Sequence, residues 1–250
     1  MKLVLPNQLM REAAAVLEPV RDDLVIVGAL AVQIALEGFG VALPVTRDVD
    51  VGLTPTRDVD AGVKTSAVER VVGQLEASGL KRSDLPHERS FTWVKDQLKV
   101  QLLRPYDPFP KGAAKGLPVS NILTELDRHR VAVAFLDAPD SFRFWSASPG
   151  ALIGLKEAAF GRTRPGGEPV DRDFSDVAML FDQLLDEIVE ELRDASPMRR
   201  RAERAAEQLL TDEASAAAAR ELVRMGRHGT RREAELAVRR AAQTFLRRFA

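Results

Sequence analysis

Residues 24–53, LVIVGALAVQIALEGFGVALPVTRDVDVGL, constrain the fold of this chain more than any other stretch. The apolar run 24–27 reads as a buried strand, Gly28 as a turn, and residues 29–36 as an apolar helix. A loop with Gly38, Gly40 and Pro44 then leads to a second strand carrying Asp48 and Asp50. Strand side chains alternate between faces, so aspartates at i and i+2 point the same way. Two carboxylates on a strand that also holds Val49, Val51 and Leu53 are costly unless something offsets them. A divalent cation does so, as does water at a strand end.

The segment VTRDVDVGL (45–53) is echoed at once by PTRDVDAGV (55–63). A ten-residue spacing is too short for a solenoid repeat. Only the first copy follows the glycine turn and helix at a workable distance. The second follows Pro55 and precedes a predicted helix over 64–77, which puts Asp58 and Asp60 in a loop or at a helix N-terminus. The expected ligands are therefore Asp48 and Asp50.

Several function classes are excluded by composition. With no cysteine in 250 residues, disulfides, thiol catalysis and cysteine-type zinc sites are ruled out. The three histidines, His87, His129 and His228, have no paired spacing that would suggest a histidine-held metal. No run approaches the roughly 18 apolar residues of a membrane span, and the N-terminus lacks a leader pattern, so a cytoplasmic protein is expected. The net charge of −1 hides an asymmetry: residues 197–250 hold 13 arginines and no lysine against 7 acids. That basic end reads either as a solvated helical surface or as a tail for RNA phosphates.

Residues 7–21 form an amphipathic helical pattern. Further on, 88–94 and 97–104 alternate like the arms of a hairpin joined at Lys95-Asp96. Residues 105–121, with Pro and Gly throughout, read as a loop whose Lys111 and Lys115 are either plain surface residues or phosphate contacts. A short helix over 123–129 and a second hairpin, 131–137 and 141–147 around Pro139-Asp140, follow. Ser148 is a predicted N-cap, with Pro149 at the first helical position. The helix after it carries Lys156 on a largely apolar sequence. Beyond a glycine-rich loop come Asp173 and Asp176, spaced i and i+3 on one helix face and so able to anchor Lys156 or Arg162. The rest is helical, over 174–194, 197–210, 214–225 and 231–249.

In order and spacing these residues resemble the nucleotidyltransferase superfamily, and within it the minimal bacterial branch of AbiEii-like toxins. The resemblance covers roughly residues 10–185 and rests on two motif pairs. The first is Gly28 with Thr46, Asp48 and Asp50; the second is the helix with Lys156 followed by Asp173 and Asp176. It implies an α+β fold: a nucleotidyltransferase-like mixed sheet with flanking helices (1–147), then a helical C-terminal lobe (148–250). It further implies that Asp48 and Asp50 bind Mg²⁺, that Gly28, Ala29, Thr46, Arg47 and Lys156 hold the nucleotide, and that Asp173 and Asp176 complete the site. The implied reaction moves a nucleoside monophosphate from an NTP to a hydroxyl acceptor, RNA such as tRNA, in a toxin-like protein with a cognate antitoxin partner.

The chain departs from the family pattern at three places. Gln101 in Val100-Gln101-Leu102-Leu103 stands where a third carboxylate is common, and an amide is no general base. Ala29 replaces a small polar turn residue, and Pro44 replaces an arginine. The competing expectations are a degenerate member that binds nucleotide or a partner without catalysis, and an aminoglycoside-modifying enzyme. The latter would need an acidic acceptor cleft, whereas RNA would need a basic rim.

Overall fold

The computed structural model describes residues 2–4, 8–37, 58–96, 98–124, 128–160, 171–194 and 196–250. Thr46, Arg47, Asp48, Asp50 and Arg162 lie outside the described residues. The fold is α+β, and the described chain parts into two compact units between Ser148 and Pro149.

The first unit contains β1 (Lys2–Val4), α1 (Gln8–Leu17), β2 (Leu24–Val27), α2 (Gly28–Glu37), β3 (Asp58–Val63) and α3 (Val68–Ala77). It continues with β4 (Lys81–Arg82), β5 (Thr92–Lys95), β6 (Leu98–Leu103), β7 (Arg130–Phe135) and β8 (Ala138–Ala147). Across the sheet the order is β1-β7-β8-β2-β3-β6-β5-β4. The pairs β1/β7, β8/β2 and β3/β6 are parallel and the others antiparallel, so the sheet is mixed.

All four residues of β2 are buried, which is why this central strand reads as an unbroken apolar run. Helix α2 is also apolar nearly all round; Leu30, Ala31, Val32, Ile34, Ala35 and Leu36 are buried, as such a helix must be. The opening helix ends at Leu17 rather than 21, because Pro19 removes a backbone donor, and residues 18–23 tighten into a 3-10 turn. The β5–β6 hairpin turns where its sequence predicts, with Asp96 at φ +51°. Aspartate tolerates that left-handed region better than most residues.

The second hairpin turns at Leu136-Asp137, not at Pro139-Asp140. Pro139 lies inside β8, and among the described residues β8 pairs with β2 at Ile26↔Ser146, well beyond the proline. A residue without an N–H is accepted in a strand where the ladder does not call on it. The short helix expected over 123–129 is a 3-10 turn at Asn121–Thr124. Strand β1, three residues at the sheet edge, is too short to show a period in the sequence.

The second unit is helical: α4 (Pro149–Glu157), α5 (Asp171–Gln183), α6 (Leu185–Glu191), α7 (Pro197–Leu209), α8 (Asp212–Arg224) and α9 (Arg231–Arg247). Local chemistry starts the last three. Ser196 Oγ accepts from Arg199 N, Thr211 Oγ1 accepts from Ala214 N, and Thr230 with Glu233 closes a capping box. The predicted helix over 174–194 is broken at Leu184 into α5 and α6. The core stacks Phe181 on Phe245, with ring centroids 4.4 Å apart, among fully buried alanines such as Ala202, Ala205 and Ala218. Small residues there let α7, α8 and α9 pack closely.

Candidate functional site

Gly28 follows β2 directly and opens α2 with φ +71°, a backbone region that an L-residue with a Cβ rarely enters. The first amides of α2 have no intrahelical acceptor, so the turn presents N–H donors at the end of β2. Strand β3 runs antiparallel beside it in the register Val27↔Asp60, which brings Asp58 to the end of the sheet where Gly28 turns. On its other side β3 pairs in parallel with β6, Asp58↔Lys99 and Asp60↔Gln101.

This corrects the expectation for the second copy of the echo. Asp58 and Asp60 belong to a central strand, not to a loop or a helix N-terminus. The reason lies in the alternation: Val59, Ala61 and Val63 are almost wholly buried, so burying one face of DVDAGV drives it into the sheet. In β6 the pattern is the same, with Leu98, Val100 and Leu102 buried and Lys99, Gln101 and Leu103 only half-buried. The ladder therefore puts Asp58 and Asp60 in register with half-buried Lys99 and Gln101.

Polar neighbours surround these positions. Lys99 Nζ pairs with Glu88 Oε1 at 2.9 Å. Thr92 lies opposite Gln101 in the β5–β6 ladder, fully buried, and its Oγ1 has no hydrogen-bond partner. Among the side chains described, no group of three or more His, Asp or Glu comes together to hold a metal.

Lys111 and Lys115 lie away from the Gly28 turn. Strand β6 leaves the sheet after Leu103, beside Gly62, which is the opposite end of the ladder from Asp58. The loop after it is fastened rather than loose. Buried Arg104 donates to the carbonyl of Ala114 at 2.7 Å, and Ala113 N donates to Glu69 Oε1 at 2.7 Å.

In the second unit, the predicted Lys156, Asp173 and Asp176 do come together. Lys156 Nζ lies 2.7 Å from Asp173 Oδ1 and 2.6 Å from Asp176 Oδ2, with all three side chains largely buried. The contact to Asp173 is a well-formed hydrogen bond. That to Asp176 is an ion pair, and Asp176 Oδ2 makes no hydrogen bond. Burial alone would lower the lysine's pKa, but the charges of Asp176 and Asp173 and the hydrogen bond to Asp173 outweigh it, and the pKa is raised above the ordinary lysine range. Lys156 is therefore a fixed ammonium that pins α4 to α5.

Its neighbour Glu157 pins the same helix to α7, taking Arg201 and Arg204 at 2.7 and 2.9 Å. Gly154 sits at that crossing because a Cβ there would come within 2.4 Å of Met198 Sδ. Helix α4 begins at Pro149, so Ser148 and Pro149 stand at the cap and first helical positions that the sequence predicts. Ser148 Oγ donates to the carbonyl of His129, and Gly150 N donates to Glu191 Oε2 at 2.8 Å. A carboxylate from 41 residues away supplies the negative charge that a helix start favours. Sequence spacing carries no signal for so distant a partner. No protein-family model, curated protein or solved structure matches this chain.

Proposed function

We propose that this chain is a magnesium-dependent nucleotidyltransferase, built on the Gly28 turn and on Asp58 and Asp60, with RNA as acceptor. The observation that carries the reading is the register: Asp60 lies between Val27, the residue before the turn, and Gln101. Phosphate-holding amides and a pair of carboxylates then share one end of a sheet. Asp48 and Asp50 carry the same tripeptide outside the described residues, and the pairing of β3 beside the Gly28 turn supports Asp58 and Asp60 as ligands.

Two carboxylates and the amide oxygen of Gln101 are hard oxygen donors of the kind magnesium takes, with water and phosphate filling its remaining positions. When bound, the ion would neutralise charge building up on the phosphates. The first amides of α2 would hold phosphate oxygens. The acceptor hydroxyl would form a bond to the α-phosphorus as the bond to the leaving pyrophosphate breaks. Its proton would pass to Asp60, since Gln101 has no basic site. A toxin-like role with a neutralising partner protein follows from the resemblance alone.

Gln101 itself favours a second reading, a module that binds a nucleotide without transferring it. Incubation with each labelled NTP, Mg²⁺ and total tRNA separates the two. Transfer by the wild type that is lost in Asp60→Ala and kept in Asp48→Ala is the expected result. Magnesium-dependent NTP binding without transfer would replace the enzyme with the binding module.

A further inference from the structure

We infer that the exposed face of α9 is a docking strip for the phosphate backbone of RNA, formed by Arg232, Arg240 and Arg247. The inference rests on the RNA-acceptor reading above and names where that acceptor is held.

Helix α9 buries Ala234, Val238, Ala241, Ala242 and Phe245. At 100° per residue, the face directly opposite holds Arg232, Leu236, Arg240, Gln243 and Arg247, and all five are exposed. This strip contains three cations and no acid, and at 1.5 Å per residue it runs for about 22 Å.

The three arginines differ from those around them. On the same helix Arg231 pairs with Glu235 and Arg239 with Asp212, and Arg248, the residue that caps its end, pairs with Asp186. The two acids of α9 are both occupied, Glu235 by Arg231 and Glu233 by the capping box at Thr230. No acid among the described residues pairs with Arg232, Arg240 or Arg247. Three guanidinium groups left in water at intervals of 8 and 7 residues form a linear positive array.

A polyanion is the complementary partner. Guanidinium forks match phosphate oxygens two at a time, and contacts of this kind hold a nucleic acid whatever its sequence. An anionic membrane fits less well. Leu236 is the one apolar residue of the strip, and the apolar face of the helix is already used in the core.

The test is fluorescence anisotropy of labelled tRNA across a salt series, with no NTP present. Two triple variants of α9 remove the same charge: Arg232→Gln/Arg240→Gln/Arg247→Gln, and Arg231→Gln/Arg239→Gln/Arg248→Gln. The strip variant should bind at least tenfold more weakly, and its log–log salt slope should fall by about 2. The paired-arginine variant should stay within about threefold of wild type, and thermal melting should show both folded. Equal losses in the two variants, or wild-type binding by the strip variant, would overturn the inference. So would a strip variant that loses binding to phosphatidylserine vesicles but not to tRNA. Because no transfer is measured, a failed transferase assay beside intact strip-dependent binding would sink only the catalytic reading.

Discussion

Asp60 and Gln101 are direct neighbours in the parallel β3–β6 ladder, a carboxylate position beside a half-buried amide in a central strand pair. If Asp58 and Asp60 are the metal carboxylates, Gln101 is the position from which a third would reach the same ion. Gln101→Asp would add charge and a basic site without enlarging the side chain. A positioned general base contributes about 10²–10⁴-fold. We expect labelled-NTP transfer to rise at least tenfold in this variant. No gain, with the fold intact by circular dichroism, would count against the assignment of this site.

Gly28 takes φ +71° at the start of α2. Gly28→Ala forces a Cβ into the left-handed region and should cost about 1–2 kcal/mol in urea unfolding. If the first amides of α2 hold phosphate, as proposed, the same methyl would crowd them, and NTP affinity should fall by more than stability predicts. Wild-type affinity in a destabilised variant would separate the turn's structural role from nucleotide binding.

Lys156 holds two carboxylates in a largely buried cluster. Removing it strands both, and Lys156→Ala should cost roughly 3–5 kcal/mol, whereas Lys156→Met with Asp173→Asn and Asp176→Asn should recover much of that loss. The pH dependence has a definite sign. A folded-state pKa raised above the ordinary 10.5 gives stability that is complete below 10.5 and lost as pH rises beyond it. The stability gap between wild type and Lys156→Met should be flat from pH 7 to 10 and shrink above that. A gap that closes near neutrality would contradict the raised lysine.

Much of this fold was legible because its signals are local. The β2–Gly28–α2 unit, the β5–β6 hairpin and the caps of α7, α8 and α9 each state their geometry within a few residues. The i, i+3 spacing put Asp173 and Asp176 on one helix face, and it was the family resemblance that set Lys156 beside them, the contact that the structure shows. What was missed depended on distant partners. Whether DVDAGV is a loop or a strand is decided by β2 and β6 on either side, and Pro55 together with the helix ahead argued the other way. Glu191, which receives the N–H of Gly150 at the start of α4, lies 41 residues away from it.

The proposed function turns on one claim above the rest, that Asp58 and Asp60, and not their echo at 48 and 50, bind the Mg²⁺–NTP complex. Titration calorimetry with each NTP in magnesium, for wild type, Asp58→Asn/Asp60→Asn and Asp48→Asn/Asp50→Asn, tests it most directly. Magnesium-dependent binding should disappear in the first variant and persist within about threefold in the second. Loss in the 48/50 variant with binding retained in the 58/60 variant would contradict it and return the site to the first copy.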